Sequence, residues 1–158
     1  YDIVTSVIHT PEDYYELTYE YLKECAANNV IYMEAMISST HAKTKGMTYH
    51  SFIEGVYEAS KKAEEDFGIV ARYIMNGIRH LGPESVHNTA EEVLKNPHPC
   101  LVGFGLAGDE LHFPPNLFGG KLIRWITIIL INVSFGRTSK LLDLRKIASL
   151  TRPLALNS

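Results

Sequence analysis

Amphipathic segments alternate with short apolar segments along residues 1–118, and this alternation most constrains the fold of the chain. Predicted helices run from Pro11 to about Asn28, from Thr48 to about Phe67 and from Gly82 to about Lys95, and predicted strands cover residues 30–37, 69–77 and 101–106. The units recur every 30–40 residues or so, which is typical of βαβ units around a parallel sheet. The sequence therefore predicts an α/β fold with about three consecutive β/α units.

The charge balance divides the chain into two parts. Residues 1–118 hold 17 of the 18 acidic residues and 8 of the 15 basic residues, a formal net charge of −9, whereas residues 119–158 carry +6. All seven histidines lie in the first part. We therefore predict a domain over residues 1–118 and a basic, apolar tail of unrelated appearance over residues 119–158, in which the β-branched run 122–133 favours a strand.

Composition argues against membrane, secreted and nucleic-acid-binding classes. No apolar run approaches the roughly 18–20 residues of a membrane helix, and no signal peptide is visible. Cys25 and Cys100 have no metal-ligand spacing, which is typical of two small buried residues in a reducing cytoplasm. The seven basic residues of the tail lack aromatic interleaving, so we expect neither a nucleic-acid nor a membrane partner.

Period-2 alternation predicts which strand residues share a face. The first strand is mostly apolar, as a strand covered on both faces would be, yet it carries Glu34. Because a buried carboxylate is costly unless it is paired, we expect Glu34 and Arg72 of the second strand to face the same interior and to meet, directly or through water. The simpler interpretation of such a meeting is a structural ion pair without a catalytic role.

The third strand places two glycines on one face. Alternation puts Leu101, Gly103 and Gly105 on one side and Val102, Phe104 and Leu106 on the other. Glycine weakens a strand, so its repetition indicates a bulky group approaching the backbone, either a ligand or a packed helix. Ala107 and Gly108 then follow at the carboxyl end, where parallel α/β folds bind ligands.

With these blocks in order, the sequence resembles the adenosine deaminase family of metal-dependent amidohydrolases. The resemblance is carried by residues 30–34 (VIYME), 67–69 (FGI), 79–80 (RH), 102–110 (VGFGLAGDE) and 113–115 (FPP). It implies a partial (β/α)8 TIM barrel, since 158 residues are too few for a closed barrel of about 250. It also implies hydrolytic deamination of adenosine to inosine and ammonia, with zinc lowering the pKa of a bound water.

Only one substrate contact carries over from the family. Gly108 falls on the glycine whose backbone amide faces a purine ring nitrogen in family members. The His-x-His pair that supplies two zinc ligands is absent, and residues 119–158 contain neither histidine nor glutamate, where the family has a His-Ala-Gly-Glu segment. We therefore assign no catalytic residue and no metal ligand, and expect the chain as given to be inactive.

Other polar residues near the strand ends have structural explanations. His41 and His80 follow the first and second strands and are expected at the mouth of the pocket, and Arg79 is expected to hold a loop in place. The remaining histidines are interpreted as surface or loop side chains.

Two functions stay open from the sequence. One is an adenosine deaminase acting on a purine nucleoside and seen as a partial chain. The alternative is a non-catalytic remnant or purine-binding module from an interrupted gene. Because three strands of a barrel leave sheet edges unpaired, we also expect self-association through those edges.

Overall fold

The computed structural model describes residues 6–118, which form one parallel sheet with helices packed on one of its faces. The elements, in chain order, are α1 (Pro11–Ala27), β1 (Tyr32–Ile37), α2 (Thr40–Thr44), α3 (Tyr49–Phe67), β2 (Val70–Ile78), a 3₁₀ turn (Arg79–Leu81), α4 (Gly82–Lys95), β3 (Leu101–Ala107) and a second 3₁₀ turn (Pro115–Phe118). The strand order is β1-β2-β3 and both pairings are parallel. The predicted α/β fold with three β/α units is confirmed. The strand expected over 122–133 and the basic tail lie outside the described residues.

The long helices begin and end where the sequence predicts. Thr10 caps α1, because its hydroxyl accepts a hydrogen bond from the amide of Asp13 at 3.2 Å while the Asp13 carboxylate accepts one from the Thr10 amide at 2.9 Å. Thr48 caps α3 in the same reciprocal way with Ser51. Gly68 ends α3 in the left-handed conformation, with φ +74°, which glycine adopts at little cost.

The core lies between the sheet and the helices. The helix-facing side of β2 buries Ala71, Tyr73 and Met75 against the apolar stripes of α3 and α4. The α3 stripe comprises Phe52, Ile53, Val56, Ala59 and Ala63. Helix α4 approaches β2 most closely at Gly77, where a β-carbon would lie 2.8 Å from the Val86 side chain. Because a shift of the register by one residue would turn these apolar side chains away from the helices, burial on this side fixes the register of the sheet.

A β-bulge in β3 overturns one assignment made from alternation. Tyr73 pairs with Leu101, but the next residue of β2, Ile74, pairs with Gly103, so Val102 is the extra residue. The bulge turns Leu101 to the helix side, where it is buried. Leu101 therefore does not share a face with Gly103, as strict alternation predicted.

The other side of the sheet is open at β1, which contradicts the prediction that both faces of this strand are covered. Glu34 lies directly opposite Arg72 in the register, yet its side chain is exposed and the two form no ion pair. Instead, the Tyr32 hydroxyl donates to Glu34 at 2.7 Å, and Arg72 donates to the carbonyl of Ala71 at 2.7 Å. The physical reason is hydration: no layer within residues 6–118 covers this face, so the carboxylate needs no buried partner.

Within residues 6–118, no helix combines the length and the apolar character that crossing a membrane requires.

Candidate functional site at the carboxyl ends of the strands

The carboxyl ends of β2 and β3 meet at one level of the sheet. Ile78, the last residue of β2, pairs with Ala107, the last residue of β3. The chain then continues as Arg79-His80 on one side and as Gly108-Asp109 on the other. In parallel α/β folds this end of the sheet is where loops gather functional groups.

Gly108 is required by the geometry of this strand end. Its φ is +98°, and a β-carbon there would lie 2.9 Å from Nδ1 of His80 and 3.7 Å from the Arg79 amide nitrogen. Any side chain would therefore be strained and would collide with the turn that follows β2. Gly108 itself is exposed, so backbone and solvent meet directly at this point.

The bulky groups that approach the glycines of β3 are side chains of β2. A β-carbon on Gly103 would contact Ile74 at 3.5 Å, and one on Gly105 would overlap the amide oxygen of Asn76. The close group at Gly105 is the amide of Asn76 from the neighbouring strand and not a packed helix, whereas Ile74 makes only an ordinary van der Waals contact beside Gly103. That a ligand approaches these glycines stays a prediction. Both glycines remain half-buried.

Asn76 is a polar residue that the sequence reasoning did not single out. Its side chain is only 4% exposed, and its Oδ1 has no hydrogen-bond partner. An amide inside the otherwise apolar run from Tyr73 to Ile78 was the available signal. Since most buried polar side-chain atoms in proteins have a partner, this oxygen calls for an explanation.

Arg79 holds the loop after β3, as predicted. It is 6% exposed and donates hydrogen bonds to the Phe113 carbonyl at 3.1 Å and to Oε2 of Glu110 at 3.2 Å. A second contact shapes the same loop, because Asp109 Oδ2 lies 2.6 Å from Nδ1 of His112. The hydrogen bond from the His112 side chain, and then the one from its amide, lower the pKa of Asp109.

The two histidines expected at the pocket mouth are placed differently. His80 is exposed beside Gly108, as expected. His41 is half-buried in α2, and its Nε2 lies 3.2 Å from the carbonyl oxygen of Ile8. His41 thus fastens the segment before α1 instead of facing the strand end.

A metal ion finds no ligand set in this part of the chain. Within residues 6–118, no three His, Cys, Asp or Glu side chains converge as a metal site requires. The described residues therefore do not fit the zinc that the resemblance implies, and the site rests on backbone and amide groups instead.

A three-stranded parallel sheet with helices on one side and functional groups at the carboxyl ends of its strands is the arrangement found in a segment of a (β/α)8 barrel. The family model for adenosine deaminase matches residues 1–123, and the chain belongs to the adenosine deaminase family. Solved structures support the barrel class. They include a zinc-bound amidohydrolase from Burkholderia ambifaria (28% identity, TM-score 0.72, 77% of this chain and 33% of that one) and an adenine deaminase from Arthrobacter aurescens (25%, 0.72, 80% and 39%).

Curated relatives share more of the sequence. The chain is 46% identical over 110 residues to proteins named adenine deaminase from Rhizobium leguminosarum bv. trifolii and from Rhizobium etli. In both cases the match covers 70% of this chain and 34% of the relative. The chain thus spans about a third of the length of these relatives.

Proposed function

We propose that the chain contributes part of the substrate pocket of a hydrolytic purine deaminase whose substrate is adenine. The reaction replaces the 6-amino group by oxygen, so adenine and water give hypoxanthine and ammonia. The resemblance alone implied adenosine, but the relatives at 46% identity are named for adenine, and we therefore propose the free base.

One observation supports this function most directly, namely the bare strand end at Gly108. An exposed glycine with φ +98° carries no side chain of its own, so its backbone stays accessible to solvent beside the imidazole of His80. His80 and the loop held by Arg79 border it on either side. We assign to Gly108 the role of facing the purine with its backbone, to His80 that of bordering the ring, and to Arg79 that of positioning the loop.

Within residues 6–118 no side chains form a ligand set for zinc, and the role that we propose for these residues is therefore to hold the base. That a polypeptide of these 158 residues alone releases no ammonia from adenine stays a prediction from the missing His-x-His pair. The alternative of a purine-binding module without catalysis makes the same prediction for binding, and release of ammonia from adenine by the purified chain would overturn that alternative. We place the protein in the cytoplasm on its cysteine usage.

Adenine binding by the purified chain tests the proposal, with calorimetric titration as the measurement. We expect Gly108→Ala to weaken binding at least about tenfold, because the new methyl group collides with His80 and strains the turn. The matched control is Gly68→Ala, since Gly68 also has a positive φ, +74°, but a β-carbon there meets nothing within 4 Å, and Gly68 ends α3 near the amino end of β2, away from Gly108.

The control separates backbone strain from site damage. Both variants should be less stable than the wild type, whereas only Gly108→Ala should bind adenine more weakly. A wild-type chain that binds neither adenine nor adenosine would overturn the proposal, and preferential binding of adenosine would restore the nucleoside as substrate.

A further inference from the structure

The outer face of α1 carries exposed apolar side chains where a surface helix is normally polar. Leu17 and Tyr21, one turn apart, are 49% and 53% exposed. Together with Glu20, Lys23, Glu24 and Ala27 they line an open groove of about 490 Å³. The opposite face of α1 packs against α3, where Leu22 is buried and the Tyr14 ring lies 4.8 Å from that of Phe52. The groove therefore lies on the side of α1 that faces solvent within residues 6–118.

An acidic stripe runs along the same face. It consists of four exposed glutamates at intervals of four residues, namely Glu12, Glu16, Glu20 and Glu24. Side chains at this spacing are neighbours on a helix, and like charges there destabilise it. Within residues 6–118, only Glu20 of the four has an ion-pair partner, Lys23 at 2.9 Å. The stripe thus favours a cationic partner, and the side chains beside it favour an apolar one.

The tail over residues 119–158 carries the complementary combination. It holds seven basic residues and one acidic residue. Within it, segment 140–150 (KLLDLRKIASL) places Lys140, Arg145 and Lys146 among four leucines and an isoleucine. This segment matches the groove in both charge and apolar character.

The chain is long enough for segment 140–150 to reach α1. Residues 119–139 can span up to about 70 Å at roughly 3.3 Å per residue. Because a domain of about 100 residues has a radius of gyration of only about 13 Å, its whole surface lies within that span of Phe118. The other apolar run of the tail, 122–133, carries a single charge, Arg124, and matches the acidic stripe poorly.

We infer that segment 140–150 docks in the groove of α1, with its leucines on Leu17 and Tyr21 and its cations beside the acidic stripe. Burial of the apolar side chains supplies most of the affinity, and the opposite charges fix where the segment binds. Docking there holds the tail on the helical side of the sheet, away from the open face that carries Glu34. The inference does not depend on the proposed function, because it involves neither adenine nor the strand ends.

Carbodiimide cross-linking of the full chain tests this contact, because the reagent joins a lysine amine to a carboxylate without a spacer. We expect mass spectrometry to find linkages from the two lysines of segment 140–150 to the glutamates of the acidic stripe. The ion pair of Lys62 with Asp66, at 2.6 Å, is the internal standard that must link. A mixture of isotope-labelled and unlabelled protein distinguishes linkages within one chain from linkages between two copies.

Reversing the charge of the groove should remove most of these linkages. We expect Glu20→Lys combined with Glu24→Lys to lower them at least about fivefold, because the groove then repels the cations. The matched control is Glu64→Lys combined with Glu65→Lys, which makes the same change in net charge at exposed positions of α3 and should leave the linkages nearly unchanged. Circular dichroism checks that both variants fold.

Leu17→Ser tests the apolar contact separately, since it changes no charge, and it should lower the linkages about threefold. A wild-type chain in which Lys62 links to Asp66 but segment 140–150 does not link to α1 would overturn the inference. Equal losses in the two charge variants would also overturn it, because they would show unspecific attraction. Linkages found only between two copies would assign the groove to a second chain and overturn it as well.

Discussion

The guanidinium of Arg79 and the carboxylate of Glu110 face each other across the strand end at 3.2 Å, although the two residues differ greatly in exposure. Arg79 is 6% exposed, whereas the Glu110 side chain is 66% exposed. Arg79 also donates to the Phe113 carbonyl at 3.1 Å, a bond that Glu110 does not share. The pair therefore joins a buried anchor to a solvated partner.

Replacing Arg79 should be much more damaging than replacing Glu110. Arg79→Gln removes the donors to Glu110 and Phe113 from a buried position, and we expect it to lower the free energy of unfolding by about 1–3 kcal/mol. Glu110→Gln removes only a solvated ion-pair partner, worth less than about 1 kcal/mol. Urea unfolding measures both, and hydrogen exchange should rise over residues 109–113 in Arg79→Gln alone. Equal losses in the two variants would show that Arg79 does not anchor the loop.

Local signals predicted the framework of this fold well. The caps Thr10 and Thr48 and the stop at Gly68 fixed the ends of α1 and α3, because each satisfies backbone groups within a few residues. The parallel order of the strands followed from the spacing of the β/α units. Arg79 as a loop anchor was likewise predictable, since it follows a strand end directly.

Features that depend on contacts between strands were not predictable from local pattern. The bulge at Val102 moves Leu101 to the core, and no alternation pattern contains that shift. Glu34 is solvated because no layer within residues 6–118 covers the face of β1 that carries it, and such coverage depends on how all the layers assemble. The position of the Asn76 amide beside Gly105 depends on the register between β2 and β3, which no local pattern shows.

Buried acidic groups make the folded chain sensitive to alkali. Burial raises the pKa of Cys100 from 9.0 to about 12 and that of Tyr73 from 10.0 to about 12, and it also raises the pKa of Tyr49. In each case the unfolded chain loses its proton at a lower pH than the folded chain. Stability is thus fully present below pH 9 and is lost as the pH rises toward 12, at up to about 1.4 kcal/mol per pH unit for each group.

Thermal unfolding between pH 8 and pH 11 measures this loss. We expect Cys100→Ala to unfold at a lower temperature at pH 8 but with a shallower decline toward pH 11, because one of the titrating groups is gone. Cys25→Ala is the control for the loss of a thiol, since Cys25 is only half-buried. Identical slopes in wild type and Cys100→Ala would contradict the linkage.

The outer edge of β1 is the place where we expect two copies of the chain to associate. Within residues 6–118 no strand pairs with that edge, so its backbone donors and acceptors are available to another strand. Met36, 72% exposed on the open face, adds apolar surface beside it.

Because charged side chains, lysine above all, discourage pairing of edge strands, Met36→Lys should shift the population toward monomer. Sedimentation velocity over a range of concentrations measures this, with Leu111→Lys as the control because Leu111 is 85% exposed on the loop after β3. A wild-type chain that stays monomeric throughout, or an equal effect of both lysines, would rule out this edge as the contact.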